Sequence, residues 1–255
     1  MIDDITLEQI LKAKRERLYR RQRQTPTPAI MALADMQSRP IPSLNTVNDA
    51  PLIFGHIHLR EEAYDPVAVA LRYARLGFDA VSLFTDRTVY SHGTEDVLLV
   101  SRGVPRLPVF TQNYLLDPYG VLEMRASGAG GVILHADLMP YKTLRHMVSL
   151  GHRLKMSIAI HVKDAAQMAD AVRLAPHAVC VGDAVRFDSA RDHDLIERLR
   201  PLVPYSVRFF AYGSVHRFDD LEALLRLKVD AVQIDEHLIS TPARRERLLT
   251  VLESL

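Results

Sequence analysis

The chain of 255 residues has no tryptophan and a single cysteine, so no disulfide can form within it. Cys180 sits inside the apolar run AVCV and reads as core filler rather than as a nucleophile. No apolar stretch approaches the roughly 20 residues of a membrane span, and the N-terminus has no apolar h-region. The expectation is a cytoplasmic protein without a membrane partner. Excess charge is missing too: 32 Lys and Arg against 31 Asp and Glu leave a net charge of +1. That removes the general electrostatic case for nucleic acid. The local exception is the basic stretch from Lys12 to Arg23, KAKRERLYRRQR. It reads as the solvated face of an N-terminal helix whose Leu7, Ile10, Leu11 and Leu18 turn inward.

What is present is a full complement of core residues, 48% apolar, in a regular alternation. After the N-terminal helix, QTPTPAIMALADMQSRPIPSLNTV reads as a short second helix and a proline-punctuated linker. From Pro51 onward short β-branched runs alternate with amphipathic ones. LIFGHIH, AVSLFT, LPVFTQN, GGVILHA, SIAIHV, AVCVGD, VRFFAYG and AVQIDE are the strands. Helices are expected after each, two of them opened by Asp65-Pro66 and Asp117-Pro118 as cap and first-turn proline. Eight strands alternating with eight helices predict parallel strands closing into a (β/α)8 TIM barrel over residues 51–255, with residues 1–48 as a helical extension and linker of the same single domain. An open doubly wound sheet would want a Gly-rich phosphate turn after the first strand, and FGHIHLREE lacks one. No nucleotide cofactor is therefore expected.

Four histidines end strands: His56 and His58 on the first, His135 on the fourth and His161 on the fifth. In a His-x-His pair both imidazoles share one face, because strand side chains alternate with period two. Active sites of such barrels lie at the carboxyl ends of the strands. The pattern predicts a metal site with His56, His58 and His161 as ligands, zinc first and iron or manganese as alternatives. His135, Asp183 and Asp235 are the expected catalytic groups, as a proton shuttle or fourth ligand and as bases. The first-strand pair, His161 and Asp235 are also similar to the ligand pattern of amidohydrolase barrels. Tyr90, Gln112, Tyr114, Tyr212, Gly213, Ser214 and Glu236 are expected to bind substrate at the rim. His146, His152, His177, His193 and His216 fall on helices or their ends and read as solvent-facing.

ILKAKRERL with TPTPAIMALA, then YDPVAVALRYARLGFDAVSLFTD, HGTEDVLLV and LPVFTQNYLLDPYGVLEMRASGAGGVIL, resemble the indole-3-glycerol-phosphate synthase family over essentially the whole chain. The resemblance to this tryptophan-pathway lyase implies the same barrel and extension. It does not extend to the chemistry. Where the family carries Glu-x-Lys on strand one, this chain has His56 and His58. The strand-three lysine is Gln112, the strand-five glutamate is His161, and Gly182-Asp183 occupies the corner of the strand-six asparagine. Strand seven ends Tyr212-Gly213-Ser214 rather than Glu-Ser-Gly, and Asp235 with Glu236 stands where a glycine would meet phosphate. The loop after strand one is also too short for the family's Ser-Pro-Ser segment.

Ring closure in that family needs an acid and a base that are missing here. The reading is an enzyme of lyase or hydrolase type, metal-dependent and acting on a small organic molecule. The alternatives are a non-catalytic binding barrel and a divergent synthase. The sequence carries no signal for oligomeric state.

Overall fold

Eight short runs become parallel strands because each is apolar on both faces and can be covered on both. They are β1 (Leu52–Ile57), β2 (Ala80–Phe84), β3 (Val109–Gln112), β4 (Gly131–His135), β5 (Ser157–His161), β6 (Ala178–Arg186), β7 (Arg208–Val215) and β8 (Ala231–Asp235). Each pairs in parallel with the next, and β8 pairs with β1, so the sheet is a closed barrel. The computed structural model describes residues 6–41, 50–57, 65–86, 93–186 and 189–253, with backbone alone for 183–186, 189–191 and 253.

Eight helices alternate with the strands: α3 (Pro66–Arg75), α4 (Thr94–Gly103), α5 (Pro118–Ala126), α6 (Tyr141–Arg153), α7 (Ala165–Val172), α8 (Ser189–Leu199), α9 (Phe218–Arg226) and α10 (Pro242–Glu253). The two Asp-Pro signals act as expected. Asp65 accepts hydrogen bonds from the Val67 and Ala68 amides to cap α3, and Asp117 accepts from Tyr119 to cap α5. Each cap is worth about 1 kcal/mol. No helix among the described residues is long and apolar enough to cross a membrane.

Period-two alternation divides every strand between two cores. Leu52, Phe54, Ala80, Phe110, Ile133, Ala159, Cys180 and Tyr212 fill the barrel interior, whereas Ile53, Ile57, Val132, Leu134, Ile158, Ile160, Val232 and Ile234 belong to the core under the helices. Cys180 is fully buried, and burial pushes its thiol well above the ordinary range, in keeping with a packing role. Phe54 packs against Phe110 and Phe210 with ring centroids 5.7 and 5.4 Å away. Such pairs add about 0.5–1.5 kcal/mol beyond their burial. This aromatic plug makes the interior a packed floor, above which the strand ends project.

The extension consists of α1 (Leu7–Gln24) and α2 (Thr27–Asp35). It is pinned to α5, where Tyr119 donates its hydroxyl to the carbonyls of Arg21 and Thr25 at 3.2 and 2.8 Å. The buried guanidinium of Arg125 donates to the carbonyls of Gln37, Arg39 and Ala129. One expectation holds only in part. Ile10 is buried and Leu18 packs against the core, and Lys12, Arg15 and Arg23 form an exposed basic face as expected. Leu7, however, is 40% exposed, while Lys14, Arg17 and Arg21 turn toward the barrel and line a cavity, because the helix lies across polar strand ends that offer them counter-charges.

The backbone at His56 is held from behind. Tyr73 on α3 lies on β1 and donates its hydroxyl to the carbonyls of His56 and Ile234 at 2.8 and 3.2 Å. That approach needs Gly55, since a Cβ there would sit 2.3 Å from the Tyr73 ring. Gly55→Ala is expected to lower the unfolding free energy by about 1–3 kcal/mol or more through overpacking, measured by urea denaturation. An unchanged midpoint would show that Tyr73 does not hold this strand.

Candidate functional site

Alternation carries the strand-end histidines inward. His56 follows Leu52 and Phe54, His135 follows Ile133, and His161 follows Ala159, all interior residues. All three are nearly buried, at 3 to 5% exposure. His58 and Tyr90 lie outside the described residues, as does the side chain of Asp183.

His135 and His161 are register partners on adjacent strands, with ring centroids 4.9 Å apart. The Tyr212 ring lies 5.2 Å from His161 and 5.9 Å from His135, and Tyr114 lies 5.2 Å from His135. His161 Nε2 stands 2.9 Å from the Gly182 carbonyl oxygen. A carbonyl can only accept, so Nε2 carries the proton and Nδ1 presents its lone pair. Gly182 permits this with φ at +131°, where a Cβ would strike the Tyr212 carbonyl oxygen at 2.1 Å.

Just past β4, Asp137 sits in a short 3-10 turn, Ala136–Leu138, and receives Lys163 Nζ at 2.5 Å. Burial opposes its ionisation, yet the Lys163 hydrogen bond and charge prevail and hold its carboxyl below the usual range. Ligand atoms of His135, Asp137 and His161 lie within 4.8 Å of one another. That spacing and the mixed nitrogen–oxygen donor set suit a small divalent ion. Asp137 went unnoticed in the sequence because it follows the strand in a turn, beyond the reach of alternation. A second such triple, His193, Asp194 and Glu197, lies on α8, away from the barrel mouth, and is half to fully exposed.

Across the mouth, His56 and Asp235 are register partners on β1 and β8. His56 Nδ1 meets Ser82 Oγ at 3.0 Å. Asp235 accepts from the His237 amide at 2.7 Å and from Ser214 Oγ at 3.4 Å, and His216 Nδ1 stands 3.4 Å from its carboxylate. His216 is therefore not a solvent-facing histidine but a neighbour of Asp235. His177 likewise turns inward, accepting the Ile158 amide with Nδ1 at 3.1 Å.

The other expected binding residues divide. Gln112 is fully buried in the barrel, and neither its amide oxygen nor its amide nitrogen has a hydrogen-bond partner. Gly213 has φ at +113°, but the next helix opens with Asp219 and Asp220, which already neutralise the amide end. Glu236 is tied to Arg72 of α3, an ion pair that draws its charge toward the helix layer.

A closed parallel barrel with its titratable groups gathered at the carboxyl ends of the strands has the layout of a (β/α)8 barrel with a site in the usual position. The family model for indole-3-glycerol phosphate synthase matches residues 55–250. The chain is 30% identical over 182 residues to the indole-3-glycerol phosphate synthase of Chlorobium chlorochromatii, covering 71% of this chain and 70% of that protein. It is 24% identical over 230 residues to that of Campylobacter curvus, covering 90% and 85%, and 25% identical over 246 residues to that of Campylobacter hominis, covering 91% and 93%. The chain belongs to the indole-3-glycerol phosphate synthase family.

Burial, followed by the neighbouring His161, pushes the His135 pKa down from 6.5 to about 3. An unfolded imidazole takes its proton near 6.5, while the folded one does not until about 3. The unfolded state therefore binds more protons between those values, and stability falls as pH drops through that window. Urea unfolding of metal-free protein across it should show a loss of several kcal/mol, flattened in His135→Gln. Equal slopes for the two proteins would show that His135 is not held neutral.

Proposed function

We propose that this barrel is a paralogue of the tryptophan-pathway synthase that has exchanged ring closure for metal-dependent chemistry, of lyase or hydrolase type, on a small organic molecule. The observation that carries the reading is the convergence of donors from His135, Asp137 and His161 within 4.8 Å at the barrel mouth. Its support is the fixed tautomer of His161, since ligating histidines commonly donate the other ring nitrogen to a carbonyl. A divalent ion such as zinc held there would acidify a coordinated water toward neutral pH. Tyr114 and Tyr212 flank the spot and can orient a flat organic body against the imidazoles. His216 beside Asp235, on the opposite wall, is positioned to take or return a proton. His56 falls outside that group of donors, and the expectation that it and His58 are ligands rests on the sequence pattern alone.

Loss of the parent reaction has its own support. Gln112 cannot act as the acid that the family's lysine provides, and His161 replaces the second proton-transfer group. Asp235 and its neighbours set negative charge where the family grips a dianionic phosphate, and like charges a few ångströms apart repel by about 1 kcal/mol in water and several times that near a protein surface.

Elemental analysis of untagged protein tests the metal directly. Close to stoichiometric zinc, iron or manganese is expected in the wild type and lost in His135→Ala/His161→Ala; a parallel His56→Ala/His58→Ala variant reads whether strand one contributes. No metal in the wild type, even after supplementation, would discard the mechanism. Separately, purified protein is expected to give no turnover of carboxyphenylamino-deoxyribulose phosphate. Measurable indole-glycerol phosphate would restore the synthase reading.

A further inference from the structure

A cavity of about 660 Å³ lies between α1 and the carboxyl ends of β2 and β3, and its described lining contains none of the strand-end histidines. Its volume falls in the range of small-molecule sites. At its floor Lys14 Nζ donates to Asp86 Oδ2 at 2.6 Å and to the side-chain oxygen of Asn113. Asn113 in turn donates to Thr85 Oγ1 at 2.9 Å and to the Thr85 carbonyl at 3.3 Å, so the amide is held with its oxygen toward Lys14. Asp86 and Asn113 are themselves 1% and 5% exposed. The ammonium is thus built in from both sides, on side chains the fold has locked.

The charges of the lining select the ligand. Lys14, Arg17 and Arg21 fall on one helical face of α1 at spacings of three and four, and they turn toward the cavity. Arg20 adds a fourth cation to the lining and Glu95 a fourth carboxylate; Glu123 pairs with Arg21, and Asp117 is engaged as the cap of α5. A dianion would still meet Asp86, Glu95, Asp117 and Glu123. A single negative charge meets the ammonium with far less opposition. Leu115, Leu116 and Met124 offer an apolar wall for the rest of such a molecule.

We infer that this cavity is a binding site for a small organic monocarboxylate, received by Lys14 with its apolar part against Leu115, Leu116 and Met124. The site is separate from the metal reading and stands or falls without it. It nevertheless adjoins the histidines through three consecutive residues. Asn113 and Leu115 line the cavity, and between them Tyr114 packs 5.2 Å from His135. Burial lowers the pKa of Lys14 despite the opposing pull of Asp86. A bound carboxylate would add a second negative partner and hold the ammonium charged.

Benzoate is the probe, with benzamide as its neutral shape match and phenylphosphonate as the dianion, followed by amide shifts in isotope-labelled full-length protein. The informative variant is Lys14→Met/Asp86→Asn, which removes the donor and its counter-charge together. It leaves the net charge of the cavity unchanged. Saturable benzoate binding is expected, with shifts at Thr85, Asn113 and Leu115. Affinity should fall about ten-fold or more in the double variant, the scale of a lost hydrogen bond to a charged group. Benzamide and phenylphosphonate should both bind more weakly than benzoate. Absence of saturable benzoate binding, equal binding of benzamide, tighter binding of phenylphosphonate, or undiminished binding by a folded double variant would each overturn the inference.

Discussion

Everything at the barrel mouth depends on the hydrogen-bonded pairing that joins β8 to β1. It sets His56 beside Asp235 in register and turns an eight-stranded sheet into a surface with an inside. Once the ring closes, period two leaves each strand one choice of which residues face inward, and a slip by one would exchange the two cores wholesale. Phe54, Phe110 and Phe210 commit that choice, since none of these rings could be exposed without losing about 1.5–3 kcal/mol of burial each. The polar groups above them inherit their direction from the aromatic floor beneath.

Direction has a cost at this depth. Gln112 and Gln233 are both fully buried, and neither amide has a partner for its oxygen or its nitrogen. Each unmet group of this kind costs about 1–3 kcal/mol. A lysine at position 112, as the family carries, would have to hold a charge in the same place, which is harder still unless a substrate or carboxylate compensates it. The neutral amide is the milder occupant of this buried position. Lys14 brings an ammonium to the end of the same strand by another route, from α1, where Asp86 and Asn113 meet it.

The barrel, its helix starts and the inward direction of His56, His135 and His161 were legible because local rules decide them. Asp-Pro pairs mark helix starts, and alternation marks strand faces. What escaped depends on where the chain returns in space. Asp137 sits in a turn, outside any period. His216 looked like a residue at a helix end, yet the path out of β7 brings it to Asp235. The basic run of α1 fits a solvated helical face by pattern alone, and only its docking over polar strand ends gives Lys14, Arg17 and Arg21 something to face. In each case the missing information was a contact between residues far apart in sequence, or between a strand and its loop.

Three departures from the family's residues are mechanically one. By the family resemblance, His161 stands at the strand-five glutamate, Gly182-Asp183 at the corner of the strand-six asparagine, and Tyr212-Gly213-Ser214 where strand seven would end Glu-Ser-Gly. In the structure they interlock. The Gly182 carbonyl accepts the His161 proton, and it does so from a backbone conformation of φ +131° that no side chain tolerates well. A Cβ at 182 would collide with the Tyr212 carbonyl, and the Tyr212 ring packs 5.2 Å from His161. An asparagine at 182 would therefore push against β7 and release the imidazole. The framework of the family is kept, but these strand ends now support one another in a different arrangement. The ends of β5, β6 and β7 are thus coupled through one backbone carbonyl and one ring contact, so a change at any of the three is felt at the other two.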